Sequence, residues 1–490
     1  MTSPGFARPF WLRLIGFFIT GLLLRLAVGL EPVWWAAWLA PALLLGLAFR
    51  TPDGEVRWLV ALAALVGVSA NFPYYQLVMP GPAAVAVVLA QTLLWTFIVI
   101  TTRRLVVRYQ AGWTVFVYPV LWVMLDTLMA ALLPDGNWGS LAYSQADQLP
   151  LLQLTSLFGV AGLLFLVTLV PAALAMAGTY GRLPGAARAY AITALLLVAA
   201  LGFGFWRLQR PLTGPTTTFG LVAIDDAIGP QASVAYVANI RRQYEQHVAT
   251  LAAQGAQVVV LPEKLAVLPP AQARQWQQQF GALAARHRVW LEVGVGTDDS
   301  RQRRNLLWLF TPAGKLSAAY QKHYLAPPER EFSAGRAYDV RLIKGQPYGL
   351  AICKDMHFAA LGRAYGLRQA AVLLVLAWDF TLDAWLASRM TATRGVENGY
   401  TVVRTARLGL LTVSDAYGRI LAQQTSQPMP GSTLLVSMPV GAPVPTLYTR
   451  VGNVLGWLCV AGGVSLLMLD RLARRRPDVL PSRQTATSAA

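Results

Sequence analysis

The sequence predicts a multi-pass α-helical membrane domain that carries a water-exposed α/β domain. Three observations predict this fold class. Hydrophobic residues make up 55% of the 490 residues and charged residues only 13%, with a mean hydropathy of +0.46, which is too apolar for a soluble protein of this size. Eight apolar stretches are long enough to cross a bilayer. A polar segment with alternating strand and helix patterns, residues 211–449, lies between the seventh stretch and the eighth.

The eight predicted spans each hold about 20 predominantly apolar residues, enough to cross a hydrocarbon core of about 30 Å. We therefore expect residues 1–210 to form a seven-helix transmembrane domain, 211–449 the α/β domain and 450–471 an eighth transmembrane helix. The Ser-, Thr-, Ala- and Pro-rich residues 472–490 are predicted to be a disordered cytoplasmic tail. The spans lie near 11–30, 32–49, 57–75, 81–102, 112–133, 151–178, 188–206 and 451–469.

Arginines predict the orientation of these spans, because basic loops are retained in the cytoplasm. They fall in every second connection, which places both termini in the cytoplasm and the α/β domain outside. The arginines are Arg8, Arg13, Arg50, Arg57, Arg103, Arg104, Arg108, Arg182, Arg188, Arg471 and Arg474 to Arg476.

The formal net charge of +18 does not predict nucleic-acid binding. Much of the excess lies in the cytoplasmic loops and tail, where retention of basic loops explains it. An anionic bilayer surface is the more natural partner, and we expect a monomer in the membrane. No metal-ligand spacing, Gly-rich phosphate loop or dinucleotide motif is present in the sequence, so no metal or cofactor is expected.

The α/β domain is predicted from runs of β-branched and apolar residues that alternate with longer helical patterns. Helices are predicted at 232–254, 270–287 and 382–399, and a hairpin near 415–418. Strands are predicted at 219–224, 257–261, 289–295, 305–310, 316–321, 349–352 and 371–376.

Three of these strand-like runs each end at a reactive side chain. Glu263, Lys322 and Cys353 are predicted to meet at the carboxyl ends of their strands. A thiolate is the nucleophile of covalent acyl transfer, and a carboxylate base with a nearby ammonium is one way to form and use it. Two alternatives remain: Cys353 is an inert buried cysteine, or it pairs with His357. The other cysteine, Cys459, lies in a span, so no disulfide is expected.

The residues around these groups resemble the Glu-Lys-Cys signature of the nitrilase superfamily, in Leu261-Pro-Glu263, Tyr320-Gln-Lys322 and Ile352-Cys-Lys-Asp355. With spans on both sides, the chain resembles the apolipoprotein N-acyltransferases, the membrane-embedded branch of the carbon-nitrogen hydrolases. Segments similar to this family cover nearly the whole chain and include 138–147, 153–159, 394–400 and 404–410.

This resemblance implies a nitrilase-like α/β/β/α sandwich on the periplasmic side of a bacterial inner membrane. It implies transfer of an acyl chain from a phospholipid, typically phosphatidylethanolamine, to the N-terminal amine of a diacylglyceryl-cysteine lipoprotein, by a ping-pong mechanism through a thioester. Cys353 would be the nucleophile, Glu263 the general base and acid, and Lys322 the group that stabilises thiolate and oxyanion. The alternatives are a membrane-tethered amidase, another N-acyltransferase, or a catalytically silent lipid-binding scaffold.

The sequence departs from the family pattern at two places. The family carries a second glutamate after the lysine motif, where this chain reads Pro327-Pro-Glu-Arg-Glu331. We favour Glu329 for this position, with Glu331 as the alternative. Lys354 replaces the aromatic residue that usually follows the cysteine. Its ammonium would either lower the pKa of the Cys353 thiol or point away and bind a lipid phosphate.

Four further residues are weaker candidates for contact with the substrate. Trp378 follows a predicted strand and would lie in a loop at the mouth of the site, or in the core. Trp138, Tyr143 and Gln145 lie in an outward loop near the membrane interface and are candidates for lipid headgroup contacts.

Overall fold

The protein is described by a computed structural model that covers residues 9–226, 228, 232–299 and 301–475. Helices dominate the described residues before position 210. They are α1 Phe10–Val28, α2 Ala36–Arg50, α3 Asp53–Val68, α4 Phe72–Val78, α5 Gly81–Tyr109, α6 Val117–Leu132, α7 Leu149–Leu152, α8 Thr155–Tyr180 and α9 Ala186–Leu208.

Seven helical segments of the described chain are long and apolar enough to cross a membrane, which confirms the multi-pass fold class. The predicted second span corresponds to α2, which has only 15 residues. At 1.5 Å per residue α2 is about 22 Å long, shorter than a hydrocarbon core of about 30 Å. Seven described helical segments therefore reach the length of a span, and α2 is a shorter apolar helix at the position of the predicted second span. The seven segments are Phe10–Val28, Asp53–Val78, Gly81–Tyr109, Gly112–Leu132, Thr155–Tyr180, Ala186–Leu208 and Val454–Leu472.

Helix α8 is broken at Gly159, and the α/β part of the molecule contacts the helix at this break. Gly159 has φ +64°, a conformation that glycine adopts without steric cost, and it leaves the backbone N–H of Val160 outside the regular helix ladder. That N–H donates to Glu397 Oε1 at 3.1 Å. A Cβ at position 159 would lie 2.5 Å from the ring of Tyr448, so the contact requires glycine.

The remaining helices and the strands form a two-sheet sandwich and the last membrane helix. The first sheet has the order β14-β1-β2-β4-β5-β6, with β3 beside β4 and β7 beside β5; the second has the order β13-β12-β11-β10-β9-β8. The strands are β1 Thr216–Ala223, β2 Val258–Val260, β3 Val267–Leu268, β4 Trp290–Asp298, β5 Arg303–Phe310, β6 Leu316–Gln321, β7 Phe332–Ser333, β8 Val340–Ile343, β9 Gln346–Ile352, β10 Val372–Trp378, β11 Thr401–Arg407, β12 Leu410–Ser414, β13 Ile420–Thr425 and β14 Ser432–Pro439. The helices are α10 Val234–Ala253, α11 Pro270–His287, α12 Ala359–Leu367, α13 Ala384–Asn398, α14 Leu447–Val451 and α15 Val454–Arg475.

The sandwich has the predicted α/β/β/α layers. Apolar side chains of both sheets, such as Leu221, Leu307 and Leu374, form one buried cluster between them. Helices α10 and α11 cover the outer face of the first sheet, and α12 and α13 cover that of the second. Helix α15 continues to Arg475, beyond the predicted end at 471, and the remaining predicted tail, residues 476–490, lies outside the described residues.

Candidate active site

The structure brings the three predicted reactive groups together at one end of the sandwich. Glu263 follows β2, Lys322 follows β6 and Cys353 follows β9. All three line one cavity of about 280 Å³. Lys322 Nζ lies 2.8 Å from Glu263 Oε1, and both side chains are buried. Strand ends of both sheets thus supply the reactive groups, as the sequence predicts.

The two oxygens of Glu263 have different environments. Oε1 accepts hydrogen bonds from Lys322 Nζ at 2.8 Å and from Asn305 Nδ2 at 2.6 Å. Oε2 is buried and has no hydrogen-bond partner among the described residues. One oxygen therefore fixes the carboxylate in place, and the other is free to accept a proton.

Glu329, rather than Glu331, is the second glutamate of this cluster. Its Oε2 lies 2.8 Å from Lys322 Nζ, and its Oε1 accepts from Asn305 Nδ2 at 2.7 Å and from Lys264 Nζ at 2.5 Å. Burial favours the protonated form, but Lys322 and Lys264 outweigh burial and lower the pKa of Glu329 to about 2. Glu331 is exposed and pairs with Arg303 at the surface.

Lys322 is held as a cation. Burial favours the neutral amine, but Glu263 and Glu329 raise the pKa of Lys322 well above its ordinary value. Its ammonium is therefore a fixed, buried positive charge, and a buried charge stabilises a developing negative charge more strongly than one at the surface does.

Cys353 sits on a strained turn immediately after β9. Its φ is +45°, a left-handed conformation that costs free energy in a residue other than glycine and that clusters at functional sites. The side chain is half-buried, and Sγ lies 3.7 Å from the carbonyl oxygen of Trp378 at the end of β10. The turn directs the thiol out of the strand and into the cavity.

Asp355 joins this turn to the lysine segment, a role that sequence reasoning did not assign to it. It is buried and accepts four hydrogen bonds within 3.1 Å, which hold the end of β9 against the residues around Lys322. The donors are the hydroxyl of Tyr320 and the backbone N–H groups of His323, Tyr324 and Ile352.

The resting form of Cys353 is the thiol. Burial and the charge of Glu263 raise its pKa above the ordinary value, and Lys322 and Arg404 only partly oppose them. A nucleophilic thiolate therefore requires a base at the moment of reaction. His357 also lines the cavity, but burial together with the neighbouring Lys354 and Lys322 lowers its pKa to about 3, so its imidazole is a poor proton acceptor.

A second buried charge pair borders the cavity. Arg404 on β11 donates to both oxygens of Asp379, at 2.5 and 3.0 Å, and both side chains are about 2% exposed. Burial raises the pKa of Asp379 to about 7, although Arg404 opposes the shift. Both residues of this pair lie in the cavity wall.

The opposite wall of the cavity comes from the membrane helices. Tyr74, Tyr75, Val78 and Met79, at and just after α4, line it together with Trp138, whose ring stacks on Tyr74 at 4.8 Å. The wall from the membrane domain is therefore mostly apolar, with Asp135 as a charged exception, and the wall from the sandwich carries the charged cluster. Such a cavity suits a molecule with an apolar chain and a polar head.

The weaker candidates separate into two groups. Trp378 lines the cavity, and the guanidinium of Arg407 lies over its ring, 3.6 Å from the ring centroid. Tyr143 and Gln145 do not line it, which corrects their interpretation as headgroup contacts. Tyr143 is bonded to Arg394 at 2.5 Å, and Gln145 donates to the backbone oxygen of Trp34 at 2.9 Å. Their loop folds into the interior between the two parts of the molecule, where both are buried.

Lys354 lines the cavity and points away from the reacting cluster. Its side chain is 6% exposed, and Nζ lies 2.8 Å from Oδ1 of Asp135, which is in the loop after α6.

Within the described residues, no group of three or more His, Cys, Asp or Glu side chains has a geometry that could hold a metal ion.

Comparison with known proteins matches both parts of the chain. Residues 20–173 match the family model of the apolipoprotein N-acyltransferase N-terminal domain, and residues 230–436 match that of carbon-nitrogen hydrolases. A protein of Geobacter metallireducens named apolipoprotein N-acyltransferase is 27% identical over 402 residues, 74% of each chain. One of the same name from Gloeobacter violaceus is 28% identical over 84% of this chain and 77% of its own. Among solved structures, an amidase from Nesterenkonia sp. covers 46% of this chain and 90% of its own, with 20% identity and a TM-score of 0.40.

Proposed function

The chain belongs to the apolipoprotein N-acyltransferase family and is an acyltransferase with a carbon-nitrogen hydrolase domain, and from this premise we propose how it works. It takes an acyl chain from a membrane phospholipid, holds it as a thioester on Cys353, and transfers it to the N-terminal amine of a diacylglyceryl-cysteine lipoprotein. The observation that carries this proposal is the single cavity that has Glu263, Lys322 and Cys353 at its charged end and membrane-helix side chains at its apolar end.

The first half-reaction begins with proton transfer from the Cys353 thiol to Glu263 Oε2. The thiolate attacks the ester carbonyl of the phospholipid, and the ammonium of Lys322, with the backbone N–H of Lys354, stabilises the oxyanion that forms. Collapse of the tetrahedral intermediate breaks the ester C–O bond. The leaving alkoxide takes the proton from Glu263 and departs as lysophospholipid, and the acyl group remains on sulfur.

The second half-reaction uses the same groups with a different acceptor. The lipoprotein amine attacks the thioester carbonyl and gives its proton to Glu263, and the released Cys353 thiolate takes that proton back. The product is an amide, and the enzyme returns to its resting thiol. Lys264, Glu329 and Asn305 act by positioning, since they hold Lys322 and Glu263 at hydrogen-bond distance.

The function is tested in two stages with the full chain in detergent. We expect incubation with labelled phosphatidylethanolamine to add one acyl group to the protein, seen by intact mass measurement. We expect a diacylated lipopeptide then to remove that group and to appear as the triacylated product. Release of free fatty acid alone would instead indicate an amidase-like hydrolase, and a protein that never gains mass would indicate a scaffold.

We further propose that the sandwich faces the periplasm and that both termini lie in the cytoplasm, as the arginine pattern predicts. Single cysteines at Ala282 on α11 and at Arg182 before α9, both exposed positions, test this in a Cys353→Ala, Cys459→Ala background. We expect a membrane-impermeant maleimide to label position 282 in cells with a permeabilised outer membrane, and position 182 only after lysis. Labelling in the reverse order would contradict the orientation.

A further inference from the structure

The ion pair between Lys354 and Asp135 is separate from the hydrogen bonds of the reacting cluster. Glu263, Lys322 and Glu329 bond to one another and to neighbouring residues, whereas Lys354 Nζ bonds to Asp135 Oδ1 at 2.8 Å. Burying a cation costs free energy that an ion pair only partly restores. We therefore expect a lysine that is only 6% exposed in the wall of the cavity to have a function besides packing.

The pair is also placed between the two parts of the molecule. Lys354 follows the nucleophile directly, and Asp135 lies in the loop after α6, at the outer end of a membrane helix. Asp135 remains half-exposed, with 55% of its side chain accessible, so a ligand in the cavity can reach its carboxylate. The two charges are thus fixed beside the thiol at the level where the membrane helices end.

The chemistry of the donor determines what must lie there. When the ester carbonyl of a phospholipid is at Cys353, the acyl chain extends toward the apolar wall at Tyr74, Tyr75 and Val78. The phosphate is joined to that ester only through the short glycerol backbone, so it must lie near the thiol on the polar side. Lys354 is the cation on that side whose partner carboxylate, that of Asp135, is exposed enough to bind a ligand as well.

Resting on the proposed function, we propose that Lys354 and Asp135 recognise the headgroup of the phospholipid donor. The ammonium of Lys354 binds the phosphate, and the carboxylate of Asp135 binds a headgroup ammonium. A zwitterionic lipid with a primary ammonium replaces one ion pair by two, and each charge keeps an opposite partner. An anionic lipid offers only the phosphate and leaves Asp135 without a cation. The pair therefore selects zwitterionic donors over anionic donors.

The decisive measurement is the ratio of kcat/KM for acylation of Cys353 by phosphatidylethanolamine and by phosphatidylglycerol with identical chains. We expect Asp135→Asn to lower this ratio about tenfold, in line with the loss of one charge-assisted hydrogen bond. A purely structural role would lower both rates and leave the ratio unchanged, which would overturn the proposal. Wild-type protein that accepts no acyl group from either lipid would instead contradict the proposed function.

A matched control is available in the same molecule. Asp147 pairs with Arg389 at 2.5 Å, also links the membrane domain to the sandwich, and is 49% exposed, but neither residue lines the cavity. We expect Asp147→Asn to leave the donor ratio unchanged. A change as large as that of Asp135→Asn would show that any such bridge alters the ratio and would overturn the proposal.

Lys354→Met tests the cation separately. We expect kcat/KM to fall about tenfold with both lipids, because both carry the phosphate, while the pH profile of Cys353 alkylation by iodoacetamide stays in place. A shift of that profile to higher pH would show that Lys354 acts on the thiol instead, and would overturn its assignment to the headgroup.

Discussion

Replacing Cys353 by alanine is expected to abolish acyl transfer, with a loss of roughly 10⁴-fold or more, because the bond that stores the acyl group can no longer form. Without sulfur, the ester would have to be attacked directly by the lipoprotein amine, and nothing would keep the acyl group activated while the lysophospholipid leaves. Intact mass measurement after incubation with labelled phospholipid checks this directly. Cys353→Ser is expected to fail as well, since a hydroxyl gives up its proton far less readily than a thiol.

The second cysteine supplies the control for this prediction. Cys459 is buried in α15, within the last membrane helix, and does not line the cavity. Cys459→Ala should therefore acquire the acyl group at the wild-type rate. An acyl adduct on Cys353→Ala that is absent from Cys459→Ala would move the nucleophile into the membrane helix and refute the thioester mechanism at Cys353.

The parts of this site that were predictable from sequence share one property. Glu263, Lys322 and Cys353 each follow a short apolar run, and the carboxyl ends of β2 and β6 in the first sheet and of β9 in the second lie at the same end of the sandwich. The choice between Glu329 and Glu331 was open because both follow two prolines. In the structure the turn at Pro327–Glu329 places the carboxylate of Glu329 inward beside Lys322 and leaves Glu331 at the surface.

The parts that were missed depend on strand register and on contacts between distant segments. Asn305 lies within β5, and nothing in the local sequence marks it. Pairing of Leu306 with Gln321 places it beside Lys322, whose backbone N–H donates to its carbonyl oxygen at 3.0 Å. The arrangement of Asp379 with Arg404 likewise depends on the alignment of β10 with β11.

Tyr143 and Gln145 show the limit of hydropathy as a guide. Their segment is polar enough to be predicted as an exposed loop near the lipid headgroups, yet both side chains are buried between the membrane helices and the sandwich. Its polar atoms bond to Arg394 and to the backbone of Trp34. A loop between two spans shows the same composition whether it faces water or a second domain, because in both cases its polar groups find partners.

Replacing Glu263 by glutamine is expected to lower the rate of acylation by about 10²- to 10⁴-fold, which is the usual contribution of a general base to the rate. Glutamine has nearly the same shape and can still accept hydrogen bonds from Lys322 and Asn305, but it cannot take the proton of Cys353. Glu331→Gln, at an exposed carboxylate of the neighbouring loop, is the matched control and should keep the wild-type rate.

The same substitution should make Cys353 more reactive toward a small alkylating agent, and this opposite change separates loss of a base from loss of the fold. Glu263 is negatively charged and raises the pKa of the thiol, so its removal lowers that pKa and increases the thiolate fraction at a given pH. The pH profile of iodoacetamide alkylation should therefore shift to lower pH in Glu263→Gln, while acyl transfer is lost. Acylation at the wild-type rate would refute Glu263 as the base. A loss of both acylation and alkylation would mean that the variant has lost the site rather than its proton acceptor.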